Sequence, residues 1–113
     1  MEIQSIIDKK EYSETNFTKR IIFKKGESTV FMLNFTPGQK LPSHKHPGTE
    51  VYLLVLNGSG QFTIDGKDLP VTDNDVVHCS ADEELAFENT GNHPVSLYVM
   101  LNKIPDDRYA QNI

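Results

Sequence analysis

With 113 residues, 37% of them apolar, and six phenylalanines, four tyrosines and no tryptophan, the chain has material for one hydrophobic core and too little for two ordinary domains. Eleven Lys and Arg stand against sixteen Asp and Glu, and the net charge of -5 argues against a nucleic-acid partner, because neutralising phosphates takes a basic face. No apolar run approaches the roughly 20 residues of a membrane-spanning helix, so no membrane partner is expected.

The chain opens on "MEIQSIIDKKEY", which alternates apolar with polar residues and lacks the basic start and apolar stretch of a signal peptide. A cytoplasmic location and a first strand at "EIQSII" are expected. "TKRIIFKKG" carries its basic residues between apolar ones at strand spacing, which suits a solvated strand edge with "KRIIF" as the strand. "STVFMLNF" follows, with Phe31, Leu33 and Phe35 on one face and Val30, Met32 and Asn34 on the other. The first set is expected to line the interior.

"EVYLLVL" is apolar on both faces, Tyr52, Leu54 and Leu56 on one and Val51, Leu53 and Val55 on the other. Either both faces are covered within one chain, or one of them makes a homodimer. "GQFTID" and "KDLPV" meet at Asp65-Gly66, a pair that takes the positive φ angles of a two-residue hairpin turn. "DVVHCS", "LAFEN" and "VSLYVML" complete the strands, and "NKIPDDRYAQNI" reads as a polar, loose tail. Many short strands between turn signals point to an all-β sandwich or barrel in one domain spanning 1–113. Cys79 is the only cysteine, which excludes an internal disulfide and cysteine-rich zinc sites, and its apolar setting suits a buried, inert thiol.

His44 and His46 lie two residues apart in "LPSHKHPGTEVYLLVLNGSG", a spacing that puts both imidazoles on one face of a strand. Two such nitrogens can converge on one divalent first-row metal, and a nearby carboxylate would complete a facial set of three ligands. His78 is a rival ligand or a hydrogen-bonded structural histidine, while His93, in a turn, is expected to be exposed.

Gly38, the five residues "QKLPS", His44, Lys45, His46 and the later Gly58 resemble the first motif of the cupin superfamily, G-x5-H-x-H-x(3,4)-E-x6-G. The stretch from Asn74 to Asn89 is similar in length to the second motif, G-x5-P-x-G-x2-H-x3-N, but only the asparagine is kept. Asn74 stands for the first glycine, Ser80 for the proline, Asp82 for the second glycine and Leu85 for the fourth metal ligand. The third ligand falls on Glu50 with the shorter spacing, one extra residue then being absorbed before Gly58, or on Val51 with the longer.

The resemblance covers about residues 30–101 and implies a double-stranded β-helix, or jelly-roll, barrel of the small single-domain cupin type, often a homodimer. It implies a Mn, Fe, Ni or Zn ion at the barrel mouth on His44, His46 and Glu50. A cavity lined by Phe31, Leu33, Tyr52, Leu54, Leu85, Phe87 and Tyr98, with Met100 adding to the wall, would take a small, partly apolar molecule. Three functions compete: a metal-dependent enzyme of oxygenase, isomerase or hydrolase type, a small-molecule or carbohydrate-binding module with a degenerate metal site, and a structural dimer. Leu85, and the lack of a singled-out second acid or base, weigh against the first.

Overall fold

A computed structural model of the chain describes residues 1–103. After a short 3-10 helix at Ile6–Lys9 come nine strands: β1 (Thr18–Lys25), β2 (Ser28–Phe35), β3 (Lys40–Lys45), β4 (Thr49–Asn57), β5 (Gly60–Ile64), β6 (Lys67–Val71), β7 (Val76–Cys79), β8 (Glu84–Glu88) and β9 (Val95–Lys103). They form a five-stranded sheet in the order β1-β2-β9-β4-β7 and a four-stranded sheet in the order β3-β8-β5-β6. Every pairing is antiparallel. From β2 to β5 and again from β6 to β9, each strand crosses to the other sheet, and this makes the double-stranded β-helix. No helix among the described residues is long and apolar enough to cross a membrane.

The two inner faces meet in one core. Alternation along each strand sends Phe31, Leu33 and Phe35 inward from β2, Val51, Leu53 and Val55 from β4, and Val95, Leu97 and Val99 from β9. From the opposite sheet come Phe62, Ile64, Leu85 and Phe87. The Phe87 ring lies between Phe35 and Phe62, with centroids 4.9 Å and 4.8 Å away. Gly60 makes room for it, since a Cβ there would come within 2.4 Å of the Phe87 ring. Cys79 is fully buried in this core, and burial pushes its thiol pKa up to about 11, so it is held as the unreactive thiol.

Several residues of the two motifs hold the scaffold. Asn89 is buried; its Nδ2 donates to the carbonyls of Phe35 and His93, and its Oδ1 accepts from the Gly91 N–H, which locks the β8–β9 turn. Its backbone bonds Gly38 and Gln39, joining that turn to the one before β3. Gly58 has φ +96 and Asn74 has φ 72, so the asparagine supplies the left-handed conformation for which the second motif uses glycine.

Three expectations need correction. "EIQSII" is not a strand: its last residues enter the 3-10 helix, and Gln4 Nε2 donates to the Ile22 carbonyl, so the segment lies against β1 without joining the ladder. β3 was not expected, because Pro42 cannot donate to a ladder and a bulge at Pro42–Ser43 breaks the alternation. His78 does not stand beside Leu85 as a rival ligand, because β7 pairs with β4 while β8 pairs with β3 and β5 in the other sheet. The expected loose tail lies largely outside the described residues.

Among the described residues, the outer face of the five-stranded sheet is covered at one end only. There Asn34 is buried, its Nδ2 donating to the Lys9 carbonyl and to Thr18 Oγ1 while its Oδ1 accepts from Ser96 Oγ, which in turn bonds the Tyr12 hydroxyl. These bonds fasten the N-terminal segment over β2 and β9. At the other end Val76 is 68% exposed, Tyr52 42% and Met100 37%.

Candidate functional site

The bulge in β3 decides where the two histidines point. Leu41 pairs with Phe87 and His44 with Leu85, so two residues, Pro42 and Ser43, stand opposite Ala86 alone. The extra residue shifts the alternation by one, and Leu41, His44 and then His46 all face inward. A turn from His46 to Thr49, closed by the Thr49 N–H on the His46 carbonyl and passing through Gly48 at φ +72, then starts β4.

Behind the histidines lies a cavity of about 350 Å³. Its walls are Phe31 and Leu33 of β2, Val51 and Leu53 of β4, Leu85 of β8, and Val99 and Leu101 of β9, with Phe17 and Leu41 at the edges. Its polar side chains are His44, His46 and Lys19, the last with its Nζ 4.5 Å from the Phe31 ring centroid. Among the described residues, no Asp or Glu lines it.

The imidazoles are tightly coupled. His44 Nδ1 donates to the Pro42 carbonyl at 2.7 Å, which leaves Nε2 of the neutral ring bare. That atom lies 3.0 Å from His46 Nε2. With His46 Nε2 donating, its Nδ1 is a buried acceptor without a partner among the described residues; in the other tautomer it is an unpartnered donor. Either way the cost is about 1–3 kcal/mol. Burial lowers the His46 pKa below its ordinary 6.5, and the nearby His44 and Lys19 push it the same way, which favours the neutral ring.

Two nitrogens bound at about 2.1 Å and at right angles on one first-row ion lie about 3 Å apart, so His44 and His46 fit two adjacent coordination positions. The rest of the donor set does not fit. Val51 is buried and inward-facing where the longer motif spacing has its glutamate, and Leu85 stands directly opposite His44 where the second motif has its histidine. Neither side chain has a lone pair to give. Among the described residues, no group of three or more His, Cys, Asp or Glu is placed to hold a metal ion.

Glu50 lies on the other side of β4. Its carboxylate accepts from His78 Nε2 at 3.2 Å, and Tyr52 packs beside the same imidazole with centroids 5.1 Å apart. The placement of Glu50 as a third ligand is therefore corrected: β4 pairs Val51 with Cys79 and Tyr52 with His78, a register that turns Val51 inward and Glu50 and His78 out. The extra residue of β4 is absorbed later, between Val55 and Asn57, and does not change this.

Of the expected cavity residues, Phe31, Leu33 and Leu85 line it, and Phe87 is packed in the core behind it. Tyr52, Leu54 and Tyr98 do not, and neither does Met100: they share the outer face of β4 and β9 with Val76. Apolar residues on both faces of these strands gave alternation nothing to choose between. Lys19 and Phe17 had no local signal, because β1 and the chain before it reach the cavity only through pairing with β2. A more open cleft of about 540 Å³ lies at the opposite end of β4 and β9, among turns bearing Lys10, Tyr12, Asp73 and His93. Within it the Gly58 N–H donates to Asp73 Oδ1 at 2.6 Å and Asn57 Nδ2 donates to the Pro94 carbonyl at 3.1 Å.

A two-sheet β-helix with a cavity mouth built on His-x-His defines the class of protein. The chain belongs to the cupin domain family, whose profile matches residues 31–101. It is 39% identical over 61 residues to the oxalate-binding protein of Thermotoga maritima, a match that covers 53% of this chain and 50% of that one. It is 27% identical over 88 residues to auxin-binding protein 1 of Arabidopsis thaliana, covering 70% of this chain and 44% of the relative. The chain thus spans about half the length of the curated relatives it matches. Among solved structures, the TT1209 protein from Thermus thermophilus superposes with a TM-score of 0.86 at 19% identity, over 93% of this chain and all of that one, which shows the shared fold.

Proposed function

We propose that the chain binds a small molecule with an apolar body in the His44–His46 cavity, and that of the family's metal centre it keeps only the two imidazoles. The observation that carries this reading is the cavity itself: about 350 Å³ of apolar wall converging on two coupled histidines, one with a buried nitrogen that has no partner among the described residues. Relatives named for binding oxalate and auxin support a small-molecule ligand, although the chain matches only half of each. The two sheets share one core, which supports treating the chain as one domain.

The test is a melting-temperature screen of ring-bearing fragments against the chain and against Val51→Phe, which fills the cavity from an inward position. Fragments that raise the wild-type melting temperature by mass action and leave the variant unmoved are the expected result. Equal shifts in both proteins would place the ligand elsewhere.

The 3.0 Å nitrogen separation favours a second reading, in which His44 and His46 hold a Mn, Fe, Ni or Zn ion whose other positions are open to ligand oxygens. Such an ion would supply Lewis-acid chemistry. Near-stoichiometric metal in protein purified without a histidine tag, absent from His44→Ala, is the result that would establish it. The outer patch of Tyr52, Val76 and Met100, exposed among the described residues, supports a homodimer built on that face.

A further inference from the structure

We propose that the ligand is an organic carboxylate with an apolar body, and that Lys19 is the residue that selects its charge. The inference rests on the reading of the cavity as a small-molecule site and names the class of molecule it takes. Among the described residues, no Asp or Glu lines this cavity. Glu50 is turned to the outer face and paired with His78. Val51 occupies the inward position beside it.

The polar groups that remain are one ammonium and two imidazoles. Lys19 forms no salt bridge among the described residues; the same holds for Lys9, Lys10, Lys24, Lys45 and Lys67, but of these Lys19 alone lines the cavity. Its ammonium instead lies over the face of Phe31, a cavity wall, where the ring quadrupole holds it but provides no counter-ion. A neutral ligand would leave the exposed ammonium to water and the Phe31 ring. A carboxylate at the Lys19 and histidine end would neutralise the ammonium and place the rest of the ligand against Leu53, Leu85 and Val99. His44 and His46 are also suited to this end, since one ring nitrogen can donate to a carboxylate oxygen where an acidic side chain would repel it.

The experiment is calorimetric titration of 3-phenylpropanoate and of its neutral counterpart 3-phenylpropanamide, into the wild-type chain and Lys19→Gln, each with and without EDTA. Lys19 is exposed on an edge strand, so its replacement leaves the core in place. The wild type is expected to bind the carboxylate at least about tenfold more tightly than the amide. In Lys19→Gln that gap should shrink to less than about threefold, through loss of carboxylate affinity alone, and EDTA should change neither value. Equal affinities in the wild type would overturn the proposal and leave the cavity reading standing. A gap that survives Lys19→Gln would remove Lys19 from its role, and a gap abolished by EDTA would give the anion to a metal instead. Binding of neither compound to the wild type would overturn the cavity reading together with the proposal.

Discussion

The two faces of β4 carry opposite chemistry one residue apart. Outside, Glu50 meets His78 in a half-exposed acid–imidazole pair, with Tyr52 beside it. Inside, His44 and His46 meet each other, and Val51 and Leu85 fill the places where a carboxylate and a third imidazole would complete a metal centre. The chain therefore possesses a glutamate and a spare histidine, but the strand register puts them on the far side of the sheet from the pair they would complete. What an inherited motif can do depends on which face each residue takes, and one step of register separates a metal centre from an apolar chamber.

Removing a side chain from each face gives the largest expected contrast. Phe87→Ala takes out a ring packed between Phe35 and Phe62 and should cost about 3–5 kcal/mol in chemical denaturation. Tyr52→Ser, on the bare outer face, should stay within about 0.5 kcal/mol for the monomer while weakening self-association in sedimentation. A similar cost at both sites would contradict the division of faces.

Rebuilding the inner site is the next test. Val51→Glu combined with Leu85→His buries two polar groups in an apolar wall, and without metal should lose about 2–3 kcal/mol. Added Mn or Zn should restore the melting temperature of this variant and leave that of the wild type unmoved. A wild-type melting temperature that rises with metal as steeply as the variant's would show that the two imidazoles suffice.

The smallest effect is a pH dependence. His46 has a folded pKa below 6.5, from burial first and from His44 and Lys19 after it. Well above pH 6.5 it is neutral in both folded and unfolded chains and its contribution to stability is complete. As pH falls below 6.5 the unfolded chain takes the proton first, so stability is lost until pH has passed below the folded pKa. The fall in melting temperature between pH 7 and 5 should be steeper in the wild type than in His46→Gln. Identical slopes would mean that His46 is not shielded.

Much of the fold was legible because local chemistry and tertiary structure agree. β2 and β6 run over the expected residues, and the Asp65-Gly66 turn has the positive φ angles, 49 and 77, that its composition called for. β3 was hidden because proline and a bulge erase the alternation by which a strand is read, and that same bulge aims His44 inward. His44 and His46 were visible from their spacing, but the choice between Glu50 and Val51 belongs to the pairing of β4 with β7, which no local pattern encodes. Lys19 reaches the cavity only through the ladder between β1 and β2, so nothing near it in the chain marked it as part of a site.

Methyl NMR of the chain titrated with 3-phenylpropanoate tests the central claim most directly, because leucine and valine report separately on the two faces. Saturable shifts at Val51, Leu53, Leu85 and Val99, with Leu54 and Val76 unmoved, are the predicted result. Shifts confined to Leu54 and Val76, or none on either face, would contradict the reading of the inner chamber as the binding site.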